Sequence, residues 1–166
     1  MVAPTILVSQ EGPVSMIKVV GMGSFQNASL VKSYAQTVAD LGVNTFTIDL
    51  QECPHMDSTF MGVLAGLARI QKQTGGQLPR VVNVNPRNAE LLATLGLDRI
   101  LHLEPAPAPP TAPLSPLPAP GEPCKQDVAT TMLEAHRNLI ELNRDNASKF
   151  QDVITFLENK LGRKTS

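Results

Sequence analysis

Three consecutive residues, Asp57-Ser58-Thr59, have types and spacing that suit chemistry. They follow a strand-like run at 45–50 and open a segment in which Phe60, Val63, Leu64, Leu67 and Ile70 recur at helical spacing. Asp57 stands where an N-cap belongs, so its carboxylate can accept from backbone N–H groups further on. That leaves the Ser58 and Thr59 hydroxyls in the first turn, at the positive end of the helix dipole. Ser, Thr and Asp cluster at helix starts for capping alone, so the local chemistry leaves a structural and a functional role both open. Cys53 and His55 flank Pro54 just upstream. Such a pair could form a thiolate nucleophile or half a metal site, but without further ligands it reads as loop lining. His102 falls in an apolar strand and reads as structural. His136 lies in a helical seam, where a tolerated polar group is the simpler reading and a pH-sensitive contact the other. The chain has no Walker-type phosphate loop, and Gly21-Met22-Gly23 lacks the third glycine and following acid of a dinucleotide fingerprint. No enzyme activity, cofactor or metal is expected.

The elements that must position Asp57 and Ser58 are legible on either side. Thr5 to Ser9 and Val14 to Val20 are β-branched runs around Glu11-Gly12-Pro13, a hairpin signal. Ser24 or Asn27 can cap a helix with Leu30, Val31, Tyr34, Val38 and Leu41 on one face and Gly42 at its end. A helix between two strands implies a crossover, placing the Thr45–Leu50 strand parallel to its predecessor. The next helix, 58 to about 74, contains Gly62, Ala65, Gly66 and Ala68, which implies close packing on the sheet, and Gly75-Gly76 ends it. Val81 to Val84, a short helix from Pro86 to Gly96, and Ile100 to Leu103 complete the pattern. It predicts an α/β fold: a small, mostly parallel sheet of four or five strands with helices on one face, plus a separate C-terminal helical tail.

Composition bounds the rest. The 166 residues are 42% hydrophobic, enough for a real core, with no Trp and one Tyr. A formal charge of −1 and no basic patch remove the electrostatic reason to expect nucleic acid or an anionic membrane surface. Cys53 and Cys124 read as free thiols, which fits a reducing cytoplasm. No signal peptide or membrane span is expected, because no run is long and apolar enough.

Nine of fourteen prolines lie between Pro105 and Pro123, a composition that favours an extended spacer over a helix or central strand. Residues 124–166 are helical in pattern. Leu133, Ile140, Ala147, Ile154 and Leu161 recur every seven residues, with His136, Asn143, Phe150 and Leu157 three positions after the first four. This stripe predicts association, as a homo-oligomer or with a partner groove, through Leu133, Ile140, Phe150, Ile154, Leu157 and Leu161, with buried Asn143 setting the register. A break near 143–148 into a helical hairpin is the alternative.

The run from Asp49 through Asp57-Ser58-Thr59 to Gly62, followed by Gly75-Gly76 and Arg80-Val81-Val82-Asn83-Val84, resembles the STAS domain of bacterial anti-sigma factor antagonists. The resemblance spans about residues 5–103 in the order strand, strand, helix, strand, helix, strand, helix, strand. It implies a regulatory protein of the cytoplasm whose Ser58 is phosphorylated by a partner kinase, with Thr59 the second choice. It also implies a partner surface of Ser24, Asp57, Ser58, Thr59 and Phe60, facing an anti-sigma factor or serine kinase. Two departures stand out: Phe60 where the family usually has Gly, and Gly21-Met22-Gly23-Ser24 where many members carry Gly-Glu-Leu-Asp. The resulting division is 1–103 for the STAS-like domain, 104–123 for the linker and 124–166 for the tail. The other reading is a non-enzymatic scaffold assembled through that tail.

Overall fold

Gly12, held at φ +59 where a Cβ would be strained, turns β1 (Thr5–Glu11) back onto β2 (Val14–Val20) as an antiparallel pair. The structure is a computed structural model describing residues 4–75, 77–105, 112–117 and 125–162. After β2 come α1 (Phe25–Asp40), β3 (Thr45–Glu52), α2 (Ser58–Gln73), β4 (Arg80–Val82), α3 (Pro86–Thr94) and β5 (His102–Leu103). Then follow β6 (Ser115–Pro116), α4 (Lys125–Leu142) and α5 (Ala147–Lys160).

The sheet has six strands in the order β5-β4-β3-β2-β1-β6. The pairs β2–β3, β3–β4 and β4–β5 are parallel, while β1 is antiparallel to both neighbours, so the sheet is mixed, with most of its pairs parallel and one strand more than the four or five expected. The sixth strand comes from within the proline-rich segment. Ser115 and Pro116 pair with Val8 and Leu7, and the Leu117 N–H donates to the Ile6 carbonyl. Proline is tolerated there because an edge strand can leave one side unpaired. The segment is therefore pinned to the sheet at these residues, where a free spacer was expected.

Register explains the core. Ile6 and Val8, Ile17 and Val19, Ile48 and Val81 stand opposite one another on one face, and all join α1, α2 and Leu92 of α3 in a single apolar cluster.

The tail takes the alternative form, a helical hairpin, and not one continuous helix. It is broken at Asn143, which caps a 3-10 turn (Arg144–Asn146) between α4 and α5, so the two helices fold back as a hairpin. Leu133, Ile154 and Leu157 bury one another inside that hairpin, with Ile140 and Leu161 partly buried against them, and Phe150 packs on the main core. The stripe expected to join separate chains is thus largely covered within one chain. Asn143 sets no helix register. The buried amide is Asn146, whose Nδ2 donates to the carbonyls of Leu95 (3.0 Å) and Leu139 (2.8 Å), tying the hairpin turn to the end of α3. His102 is not an interior residue either: its side chain is 63% exposed and lies 3.3 Å from Glu104.

Candidate functional site

Two helix starts are brought side by side. The loop after β2 pairs with the loop before α2: Gly23 N–H donates to the His55 carbonyl and Asp57 N–H to the Gly23 carbonyl. Asp57 then serves both helices. One carboxylate oxygen accepts from Phe60 N–H, capping α2, and the other accepts from Phe25 N–H at the first residue of α1, both at 2.9 Å. Ser24 caps α1 through its own hydroxyl, in a reciprocal box with Asn27. The positive ends of α1 and α2 therefore converge beside Ser58.

Ser58 is partly accessible and Thr59 is buried, so of the two candidate hydroxyls Ser58 is the one nearer the surface. Phe60 is fully buried. Its ring lies against Gly23, where an added Cβ would come within 2.8 Å of it, so the bulky residue at 60 and the missing side chain at 23 fit each other. Phe60 is a core residue and drops out of the expected partner surface. The aromatic beside the site that does face solvent is Phe25, 43% exposed, with Met22 near it at 41%.

Ser58 Oγ lies 2.9 Å from Nε2 of His136 on α4. The other ring nitrogen, Nδ1, is 2.6 Å from the Met132 carbonyl. A carbonyl can only accept, so Nδ1 carries the proton and Nε2 offers its lone pair to the Ser58 hydroxyl. The imidazole is buried and meets the Phe150 ring edge-on at 5.0 Å. Burial pushes its pKa below the ordinary 6.5, against the opposing effects of the Met132 carbonyl and the Asp57 charge.

The pair could in principle raise the nucleophilicity of Oγ, but both Asp57 oxygens are committed to N–H groups at helix starts and a backbone carbonyl, not a carboxylate, orients the ring. A cavity of about 780 Å³ between α1, α2 and α4 is lined by residues such as Lys32, Gln36, Ile70 and Glu141 and includes neither Ser58 nor His136. Cys53 is buried, its thiol donates to the His55 carbonyl and its pKa is raised by desolvation, which suits loop lining and not a thiolate. Cys124 lies outside the described residues. Among the described residues no cluster of three potential metal ligands occurs, and no helix is long and apolar enough to cross a membrane.

The small residues of α2 also find their reason here. A Cβ on Gly62 would sit 2.3 Å from the Ala135 carbonyl oxygen, so the backbone of α4 occupies the space a side chain would need. Asn138 Nδ2 donates to the Gly62 carbonyl at 3.2 Å, and Gly66 faces the same amide. Gly62 and Gly66 thus form a groove for α4, not the contact with the sheet that their size first suggests.

The model of the STAS domain matches residues 5–108. The chain belongs to the STAS domain family. No match is found among curated proteins. Solved structures with the STAS fold resemble it at low identity. A proposed anti-sigma factor antagonist of Thermotoga maritima is 21% identical, with a TM-score of 0.54 over 58% of this chain and 83% of that one. An anti-sigma factor antagonist of Mycobacterium paratuberculosis is 23% identical, with a TM-score of 0.54 over 63% and 87%. The phosphorylated form of the Bacillus cell fate determinant SpoIIAA is 17% identical, with a TM-score of 0.51 over 60% and 89%. Helices α4 and α5 lie beyond the residues matched to the STAS domain.

His136 is the site residue that sequence reasoning undervalued. The available signal was Gly62 and Gly66 one helical turn apart on a helix that had no need of flexibility, which marks a close helix–helix approach.

Proposed function

We propose that this STAS protein is a non-enzymatic bacterial regulator of the cytoplasm that binds an anti-sigma factor or serine kinase and is switched by phosphorylation of Ser58. The observation that carries the reading is the placement of Ser58. Ser58 is a half-buried residue in the first turn of α2, beside the start of α1, and Asp57 holds both helix ends. The partner surface comprises Asp57, Ser58 and the exposed ring of Phe25; Ser24, buried with its hydroxyl in the α1 cap, drops out of it, and Thr59, also buried, stays the second-choice acceptor. A kinase would transfer the γ-phosphoryl group of ATP to Ser58 Oγ, its own base taking the hydroxyl proton and ADP leaving. The product carries about −1.5 to −2 charge at neutral pH. The two helix dipoles favour that charge, whereas a partner surface shaped for a neutral hydroxyl loses a contact and gains a buried anion to solvate. Residues 1–103 carry the switch, and the segment beyond them, paired to β1 at Ser115 and Pro116 and packed on α2 through α4, acts upon it.

Mass spectrometry of protein purified from its own cells tests this directly and should find phosphate on Ser58. Ser58→Asp should weaken partner binding while Ser58→Ala preserves it. Equal binding by the two variants would leave Ser58 without a switching role.

A further inference from the structure

We infer that the α4–α5 hairpin is a cis-acting mask over Ser58, which a kinase or partner must displace to reach the hydroxyl. The inference rests on the Ser58 reading and adds the regulation of that site. Four contacts place α4 on the functional face. His136 Nε2 takes the Ser58 hydroxyl at 2.9 Å. Ala135 lies over Gly62 so closely that no Cβ fits between them. Lys32 of α1 and Arg69 of α2 pair with Glu134 and Glu141 of α4, so both helices of the site are bridged to the tail.

A hydroxyl engaged by a buried ring cannot also enter a kinase site, because phosphoryl transfer needs Oγ in line with the γ-phosphate. Docked and phosphorylatable states are therefore mutually exclusive at Ser58. Release is opposed mainly by Ala135 and Leu139, which are buried in the main apolar core. The ion pairs are at the surface, where each contributes little, and the chain preceding α4 remains anchored to β1 through Ser115 and Pro116. A displaced hairpin thus stays close to its groove, and its high local concentration favours return.

Two substitutions in the full chain displace α4 from opposite sides. Gly62→Ala strengthens α2 as a helix while driving a methyl into the Ala135 carbonyl, and Ala135→Leu presses from the tail. Hydrogen exchange should show residues 125–160 exchanging at least tenfold faster in both variants, with β2 and β3 amides unchanged as evidence of an intact domain. Phosphate occupancy on Ser58, measured on protein from its own cells, should then rise several-fold over the native chain. Occupancy that stays equal although α4 is released overturns the mask and leaves the Ser58 switch standing. Tails that remain protected in both variants overturn the mask as well. Absence of phosphate from Ser58 in all three chains is the distinct failure of the switch itself, and the mask falls with it.

Discussion

His136 Nε2 accepts the Ser58 hydroxyl across 78 positions of sequence, joining the tail to the first turn of α2. The imidazole can accept only while neutral, since a proton on Nε2 makes that nitrogen a donor and obliges the hydroxyl to turn its own hydrogen away.

That requirement gives a pH dependence. The folded pKa of His136 lies below the ordinary 6.5, so the unfolded or undocked chain binds the proton more readily. The docked tail is therefore fully stable above pH 6.5 and loses stability as pH falls below it. The charge facing the ring is Asp57 from the α2 cap, which opposes the effect without cancelling it. Hydrogen exchange over residues 125–160 at pH 7.5 and pH 5.5 should show faster exchange at the lower pH. His136→Phe should remove most of the difference.

Phe60→Gly should lower global stability by about 3 kcal/mol or more, because the ring is fully buried against Gly23 and its loss leaves a cavity. Urea unfolding checks this. Near-native stability would return Phe60 to the partner surface.

Asp57→Ala removes the side-chain cap of α2 and the acceptor of the Phe25 N–H at the start of α1, where Ser24 remains as the N-cap. At about 1 kcal/mol per contact, a loss of about 2 kcal/mol is expected. Asp57→Asn keeps only one acceptor oxygen, so it should lose about half as much, and the two variants compared by thermal unfolding separate the two contacts.

Asn146→Ala removes the buried donor to the Leu95 carbonyl and leaves the Leu139 carbonyl with the Asn143 N–H, which costs about 1–3 kcal/mol. The cost should fall on the hairpin: amides of α5 should lose protection while those of β3 keep it. A uniform loss across the sheet would mean that hairpin and domain unfold as one unit.

Local rules within the sequence determined much of this protein. Asp57 and Asn85 cap the helices that follow them, and Gly12 makes a hairpin, because capping and positive φ are satisfied by neighbours in the chain. The alternation in β1–β3 likewise set which residues face the core. The extent of the tail's helical pattern was legible too, but its partner was not, since an apolar stripe requires cover without saying which surface supplies it. Only tertiary structure decided that α4 lies in the Gly62–Gly66 groove, that Asp57 serves the start of α1 as well as capping α2, and that Pro116 joins β1. Each is a contact between residues distant in sequence, chosen by the shape and hydrogen-bonding needs of surfaces that exist only once the chain has folded. Phe60 shows the same limit: its size was plain from the sequence, but its place in the core depended on the space left at Gly23.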